Sequence, residues 1–574
     1  MKLPSRLEIY QTVSSFSVRQ KVIFIVLAII CLASFLGLVW ALNNKLVVRV
    51  AVAGGKLTEG IVGFPSHGNP LFAITDADRD VAALVYSGLM KIDASGHTIP
   101  DLAKTYTVSS DGLIYTFQLK NDLTWQDGKP LTTDDIVFTI NLIQKPGLNI
   151  VHRAAWEGVK VEKISDQEIR FTLKKAYSGF LDNTTIGILP EHVWSDSNRP
   201  ESVVFSDYNV KSVGSGPYQI TDITRDSTGL PQSYTLKPFA GYALGEPKIS
   251  TLVLHFYSDT EEMISAYQHG EIESLSGISA VQAEKLEQEN ANVRSILLSR
   301  TFAVFLNRNL PALADKNIRQ ALSLAVDRSQ LIEQVLAGNG SALYNPIPPG
   351  SLGFLEEKIS SSSDLTKADQ LMSKAGWKRD MDKVWTITDS KGKTTRLEFN
   401  LATSDTPELK ATAETLTAQW RAWGAIANIS IYELSDLDQN LIRPRKFEAL
   451  LFGEVVGRDP DLYPFWHSSQ RLTPGLNITQ YANSVTDKLL EQARQADQLD
   501  DRAEINKKFQ MELAKDTPAI FLYAPHFLYI LPTKIKNTAF PSLLVPAERF
   551  SAINNWYINE DKIWKIFANV FNTK

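Results

Sequence analysis

One cysteine, Cys31, stands among 574 residues, which excludes a disulfide framework and any cysteine-based zinc site. Histidine is also scarce. The eight positions are His67, His97, His152, His192, His255, His269, His467 and His526, and no pair has the H-E-x-x-H spacing of a zincin. No G-x-x-x-x-G-K-[ST] loop is present to cradle nucleotide phosphates. Gly214-Ser215-Gly216 runs straight into Pro217, so it is not the G-x-S-x-G elbow of a serine hydrolase. A net charge of −5 with 21% charged residues leaves no basic excess for nucleic acid. Internal repeats and long low-complexity tracts are missing as well. These absences point away from an enzyme, and no cofactor or metal is expected. What remains is a globular body with room for two to four domains and sizeable cores.

The N-terminal region is distinctive. From Val22 to Leu42 the chain carries no charge, and 21 helical residues span roughly 30 Å, the thickness of a bilayer core. Lys2, Arg6, Arg19 and Lys21 against Glu8 give the first 21 residues a net +3, which leaves −8 on the rest of the chain's −5. Residues 1–21 are therefore expected as a cytoplasmic tail, 22–42 as a transmembrane segment, and the C-terminal part outside the cell or in the periplasm. A cleaved signal and a lipoprotein are the other readings. The run exceeds the usual signal core of about 7–15 residues, and its exit, Val39-Trp40-Ala41-Leu42-Asn43, offers no small-x-small site. Cys31 follows Ile30 in mid-run, so the pattern favours an uncleaved signal-anchor.

Beyond Lys45 the pattern is mixed α/β. A short apolar strand is expected at 46–53 and a helix at 80–90. Tyr115, Phe117 and Leu119 alternate with polar residues as in a half-buried strand, Gln126-Asp127-Gly128 has turn chemistry, and Thr132 is placed to cap a helix from Thr133. The stretch 249–257 reads as a strand buried on both faces. A second block begins near Arg300. It has helices at 318–326 and 331–336, a surface linker at 360–363, a strand at 397–402 and an amphipathic helix at 408–423. Helices at 485–496 and 501–515 precede an apolar strand at 519–523.

Several separated segments carry a common resemblance. They are Tyr86-Ser87-Gly88-Leu89 with Pro100-Asp101-Leu102-Ala103, then Trp125, Asp127-Gly128, Pro130-Leu131-Thr132 and Asp134-Asp135, then Gly214-Ser215-Gly216-Pro217-Tyr218. Phe305-Leu306-Asn307, Ile318-Arg319-Gln320-Ala321-Leu322 with Asp327-Arg328, Asp459-Pro460-Asp461 with Trp466-His467-Ser468-Ser469, and Tyr481-Ala482-Asn483 complete the set. In this order they resemble the family 5 extracellular solute-binding proteins, the oligopeptide- and dipeptide-binding components of ABC importers. The resemblance implies a two-lobed, periplasmic-binding-protein-like clamshell of the large class II type. Lobe I would hold 45–300, with an extra subdomain at about 81–190, and the return at 516–574; lobe II would hold 301–515. It also implies a peptide or other small solute as ligand, held by its backbone as in strand addition. The partners implied are ABC permease subunits with a cytoplasmic ATPase, served by a monomeric ectodomain. A tethered ligand-sensing module, or a binder of an oligosaccharide, haem or metal chelate, are the competing readings.

For the site, 447–466 is the segment most expected to line the cleft. In peptide-binding relatives an acid about four residues before the proline pairs with the ligand amine; that position is Val456 here, and Glu454 is the nearby substitute. The ligand-binding candidates are Asp76, Asp78, Phe452, Gly453, Glu454, Val456, Asp459, Trp466 and Tyr523. Several have a structural alternative: an ion pair of Glu454 with Arg458 or another base, helix capping by Asp459 together with Asp461, core packing by Trp466, and a solvated loop for Asp76 and Asp78.

Overall fold

The computed structural model describes residues 15–148, 150, 152–176, 179–195, 203, 206–356, 363–496 and 498–564. Most of the expected cytoplasmic tail and of the 360–363 linker lies outside them. Two compact units are resolved, one of Met1–Gly54 with Tyr557–Lys574 and one of Gly55–Trp556.

In the smaller unit, helix α1 (Val18–Leu46) starts at a capping box in which Ser17 and Gln20 satisfy each other's backbone amides. Its stretch Val18–Ala41 is long and apolar enough to cross a membrane, and none of it is buried against protein. Strand β1 (Val47–Val52) follows with no linker, the Val47 amide donating to the Asn43 carbonyl. β1 pairs antiparallel with the strand Asn559–Trp564, Val47 opposite Trp564. After it Gly54 and Gly55 take φ of 145° and 82°, conformations that end a strand.

The larger unit opens with β2 (Lys56–Val62) and α2 (Asp76–Val85). This helix begins four residues earlier than the hydrophobic spacing suggests, because Thr75 and Asp78 form a capping box. A separate four-stranded antiparallel sheet spans 103–172 and includes β3 (Ile114–Leu119). It buries Tyr115, Phe117 and Leu119 on one face. Thr132 caps α3 (Thr133–Gln144) with Asp135 at N3, and the buried Trp125 indole donates to Asp135 at 3.4 Å. The expected strand-turn-helix is thus a self-contained packing and capping unit.

Strands β4 (Tyr218–Arg225), β5 (Pro231–Pro238), β6 (Thr251–Tyr257), β7 (Ser274–Ser276) and β8 (Val293–Leu297) fall with β2 in the stretch expected as the first lobe. The near-continuous apolar run of β6 fits its place, parallel to β2 on one side and antiparallel to β5 on the other. The stretch expected as the second lobe holds β9 (Arg300–Leu306), β10 (Gly340–Ala342), β11 (Glu398–Ser404), helix α4 (Pro407–Trp423), β12 (Ile426–Tyr432), β13 (Ala449–Val455), and helices α5 (Ser484–Gln495) and α6 (Leu499–Asp516). Its sheet carries apolar clusters on both faces. One contains Val304, Leu416, Trp420 and Leu451, the other Phe305, Leu450, Trp466 and Phe509.

One strand runs between the two expected lobes. β14 (Ala519–Ile530) pairs with β9 through residues 519–523, where Phe302 to Phe305 supply its ladder, and with β8 through residues 526–530.

A fully buried charge cluster stitches the first lobe. The Arg549 guanidinium donates to Glu59 of β2 at 3.0 and 3.1 Å and to Asp80 of α2 at 2.6 and 2.7 Å. Glu59 also accepts from the Tyr529 hydroxyl at 2.8 Å and from Ser274 at 2.5 Å. Such a cluster survives burial only because the charges are paired and their lone pairs used.

Candidate functional site

On β13 the even-numbered side chains share a face. Leu450, Phe452 and Glu454 lie opposite Phe305, Ala303 and Thr301 of β9. Gly453 between them is required by packing: a Cβ there would stand 2.6 Å from the Phe302 ring. The end of this face opens on a cavity of about 780 Å³ in the second lobe. Phe452, Gly453, Glu454 and Trp466 line it together with Phe305, Leu434, Ile442, Phe465, Leu476 and Ile478.

Glu454 is the exception in this apolar lining. It is 8% exposed, and its Oε1 has no hydrogen-bond partner. The ion pair offered by the sequence does not form, since Arg458 donates to the Ser542 carbonyl at 3.0 Å and to the Glu548 carboxylate. With nothing to offset desolvation, burial pushes the Glu454 carboxyl up to about 8. The folded value lies above the ordinary 4.5 of a free carboxyl. The stability associated with the protonated form is therefore present in acid and is lost as pH rises through about 8.

The other candidates are placed elsewhere. Asp78 is consumed at the start of α2, accepting from the Ser66 and His67 amides at 2.8 and 2.9 Å. Asp76 is exposed and pairs with Arg79 at 3.4 Å. Val456 is buried in the apolar cluster below β13, because the strand ends at Val455 and the chain turns inward. Asp459 lies 3.1 Å from Arg502, an ion pair whose geometry is poorly aligned for a hydrogen bond. Asp461 does two jobs, accepting from the Tyr463 amide at 3.2 Å and pairing with Arg494 at 2.5 Å. Tyr523 is buried in the core, its hydroxyl on Thr412 at 2.8 Å and Glu408 at 3.0 Å, its ring stacked on Phe302. Trp466 packs between Phe305 and Phe521 and touches the cavity with one edge. Leu434, Asp438 and Ile442 escaped the sequence reading, although their i, i+4, i+8 spacing marks one helical face.

Arg458 also joins the lobes. It stands on the loop after β13, while Glu548 belongs to the 3₁₀ turn Pro546–Phe550 that carries Arg549. If closure of the lobes forms this contact, replacing Arg458 with alanine is expected to weaken solute affinity about tenfold. Calorimetry with small-angle scattering checks this: unchanged affinity and an unchanged radius of gyration with ligand would remove Arg458 from closure.

The mixed α/β architecture is that of a solute-binding protein. Residues 97–473 match the profile of bacterial extracellular solute-binding proteins, family 5 Middle, and the chain belongs to this family. It is 28% identical over 517 residues to the oligopeptide-binding protein AppA of Bacillus subtilis (strain 168), covering 88% of this chain and 92% of that protein. The solved structure of that AppA in complex with a nonapeptide superposes with a TM-score of 0.66 at 27% identity, covering 89% of this chain and 100% of that one. NikZ from Campylobacter jejuni in complex with Ni(L-His) superposes with a TM-score of 0.67 at 25% identity, covering 88% and 99%.

Proposed function

We propose that this chain is a membrane-tethered solute-binding protein that captures peptides between its lobes and delivers them to the permease of an ABC importer. The observation that carries the reading is the unpaired, buried Glu454 carboxylate in an apolar cavity, which suits a ligand with an ammonium group. Likeness to a protein whose structure holds a nonapeptide supports the ligand class. The span Val18–Ala41 supports a single-pass anchor, with the larger unit outside the cytoplasmic membrane. Ligand binding shifts the population toward the closed form that a permease reads, and the energy for transport comes from a cytoplasmic ATPase. One chain supplies both lobes, so a monomeric ectodomain suffices.

Native mass spectrometry of the full chain, purified in nanodiscs, tests this. A co-purified ladder of peptide masses is the expected result. A discrete sugar or metal-chelate mass overturns the peptide assignment. No bound mass, together with no thermal shift from a mixed-peptide digest, overturns capture of peptides altogether.

A further inference from the structure

We propose that the ribbon formed by β1 and the strand Asn559–Trp564 is a second membrane contact: Trp564 seats in the headgroup layer where the helix leaves the bilayer, and Arg49 and Lys562 beside it bind the phosphate groups of anionic lipids. This rests on the membrane tether proposed above and adds a lipid-binding surface outside the spanning helix.

The geometry starts from the helix. The apolar span ends at Ala41, yet α1 runs on to Leu46. Those five further residues rise about 7.5 Å, close to the depth of the headgroup layer on one side of a bilayer. β1 therefore begins at the outer edge of that layer. The register of the ribbon then sets Trp564 directly opposite Val47, the first residue past the helix. The strand from the far end of the chain is thus brought back to the point where the helix exits.

Tryptophan usage is the first sign of what meets this point. The chain has eleven tryptophans, and nine of them are buried in the larger unit. The two exposed ones are Trp40, at 69%, and Trp564, at 49%. Trp40 stands one residue before the end of the apolar span, and Trp564 lies against its exit. An exposed indole suits the membrane interface, where the ring meets acyl chains and the N–H meets headgroups and water.

Charge is the second sign. Residues directly opposite each other in an antiparallel pair share a face. On the face of Val47 and Trp564 the next pair is Arg49 with Lys562, and then comes Ala51 with Glu560. Two like charges directly across a ladder repel. Glu560 relieves Arg49 only in part, at 3.4 Å and with the arginine side chain 67% exposed. Among the described residues no carboxylate forms an ion pair with Lys562. A lipid phosphate held between the two cations removes the repulsion, and their long stems can snorkel to the headgroup level. The ribbon itself needs such support. It is a sheet of two strands, and two strands alone are marginal in water. Seating one face on lipid supplies burial that a third strand would otherwise give.

The test is tryptophan fluorescence of the full chain in nanodiscs, with plain or brominated phosphatidylcholine, since bromine quenches indoles that reach the bilayer. Subtracting the emission of Trp564→Phe from that of the wild type isolates Trp564, and Trp40→Phe isolates Trp40 in the same way. Both signals should fall by about half or more in brominated discs, as for residues of an interfacial belt. Adding phosphatidylglycerol should deepen the quenching of Trp564, and high salt or the double variant Arg49→Gln, Lys562→Gln should abolish that gain. Quenching of Trp40 without Trp564 overturns this inference and leaves the tether standing. Quenching of Trp564 that phosphatidylglycerol does not deepen overturns the phosphate contact. Quenching of neither overturns the tether as well.

Discussion

Replacing Arg549 with methionine is expected to cost about 3–5 kcal/mol of folding stability, the usual penalty for removing one partner of a buried ion cluster. The arginine is fully buried, as is Glu59, and Asp80 is nearly so. Without it two carboxylates face each other in the first-lobe core with only the Tyr529 and Ser274 hydroxyls for relief. The cluster ties β2, α2, β14 and the turn Pro546–Phe550 to one point, so the loss spreads through the lobe. Urea denaturation at neutral pH measures it. A control separates charge from packing: the triple variant Glu59→Gln, Asp80→Asn, Arg549→Met carries no uncompensated charge and should regain most of the loss. Equal instability of the single and triple variants would assign the effect to shape alone.

The second large effect concerns the ligand. Glu454→Ala should lower affinity for free-amine peptides by about 2–5 kcal/mol, as when a buried charge partner is removed. The same carboxyl burdens the empty protein, because its burial is not compensated by any partner. Glu454→Gln should therefore raise the melting temperature at pH 8 and leave it nearly unchanged at pH 5, where the wild-type acid is already neutral. Lost affinity with gained stability is the signature of a group kept for function. Unchanged affinity in Glu454→Ala, with an unchanged melting temperature in Glu454→Gln at pH 8, would reduce Glu454 to a bystander.

Local chemistry made much of the fold readable in advance. The Thr132 cap, the Gly128 turn and the alternation at Tyr115, Phe117 and Leu119 depend on neighbours a few residues away, and the structure realises each. Asp327 caps its helix in the same local way, accepting from the Gln330 amide at 2.9 Å. The larger architecture came through resemblance, since strand pairing across hundreds of residues leaves no local trace. Of the expected site residues, Phe452, Gly453 and Glu454, which end an apolar strand with an acid, line one cavity together. The partner of Arg458 was not legible, because Glu548 lies 90 residues further along. Asp78 and Tyr523 were over-read for a similar reason: their polar groups are satisfied by Ser66, His67, Thr412 and Glu408, which only the folded chain brings near.

The shared strand β14 has a mechanical consequence. Where its pairing passes from β9 to β8 stands Pro525, which lies opposite Gly340 of β10 and has no amide hydrogen to donate. Beside it His526 bridges the two sides, one ring nitrogen on Ser295 at 2.8 Å and the other on Ser341 at 3.0 Å. One main-chain donor fewer resists bending at this point, and the imidazole rivets the two ladders together, beside the His526 amide's own bond to the Asn339 carbonyl at 3.1 Å.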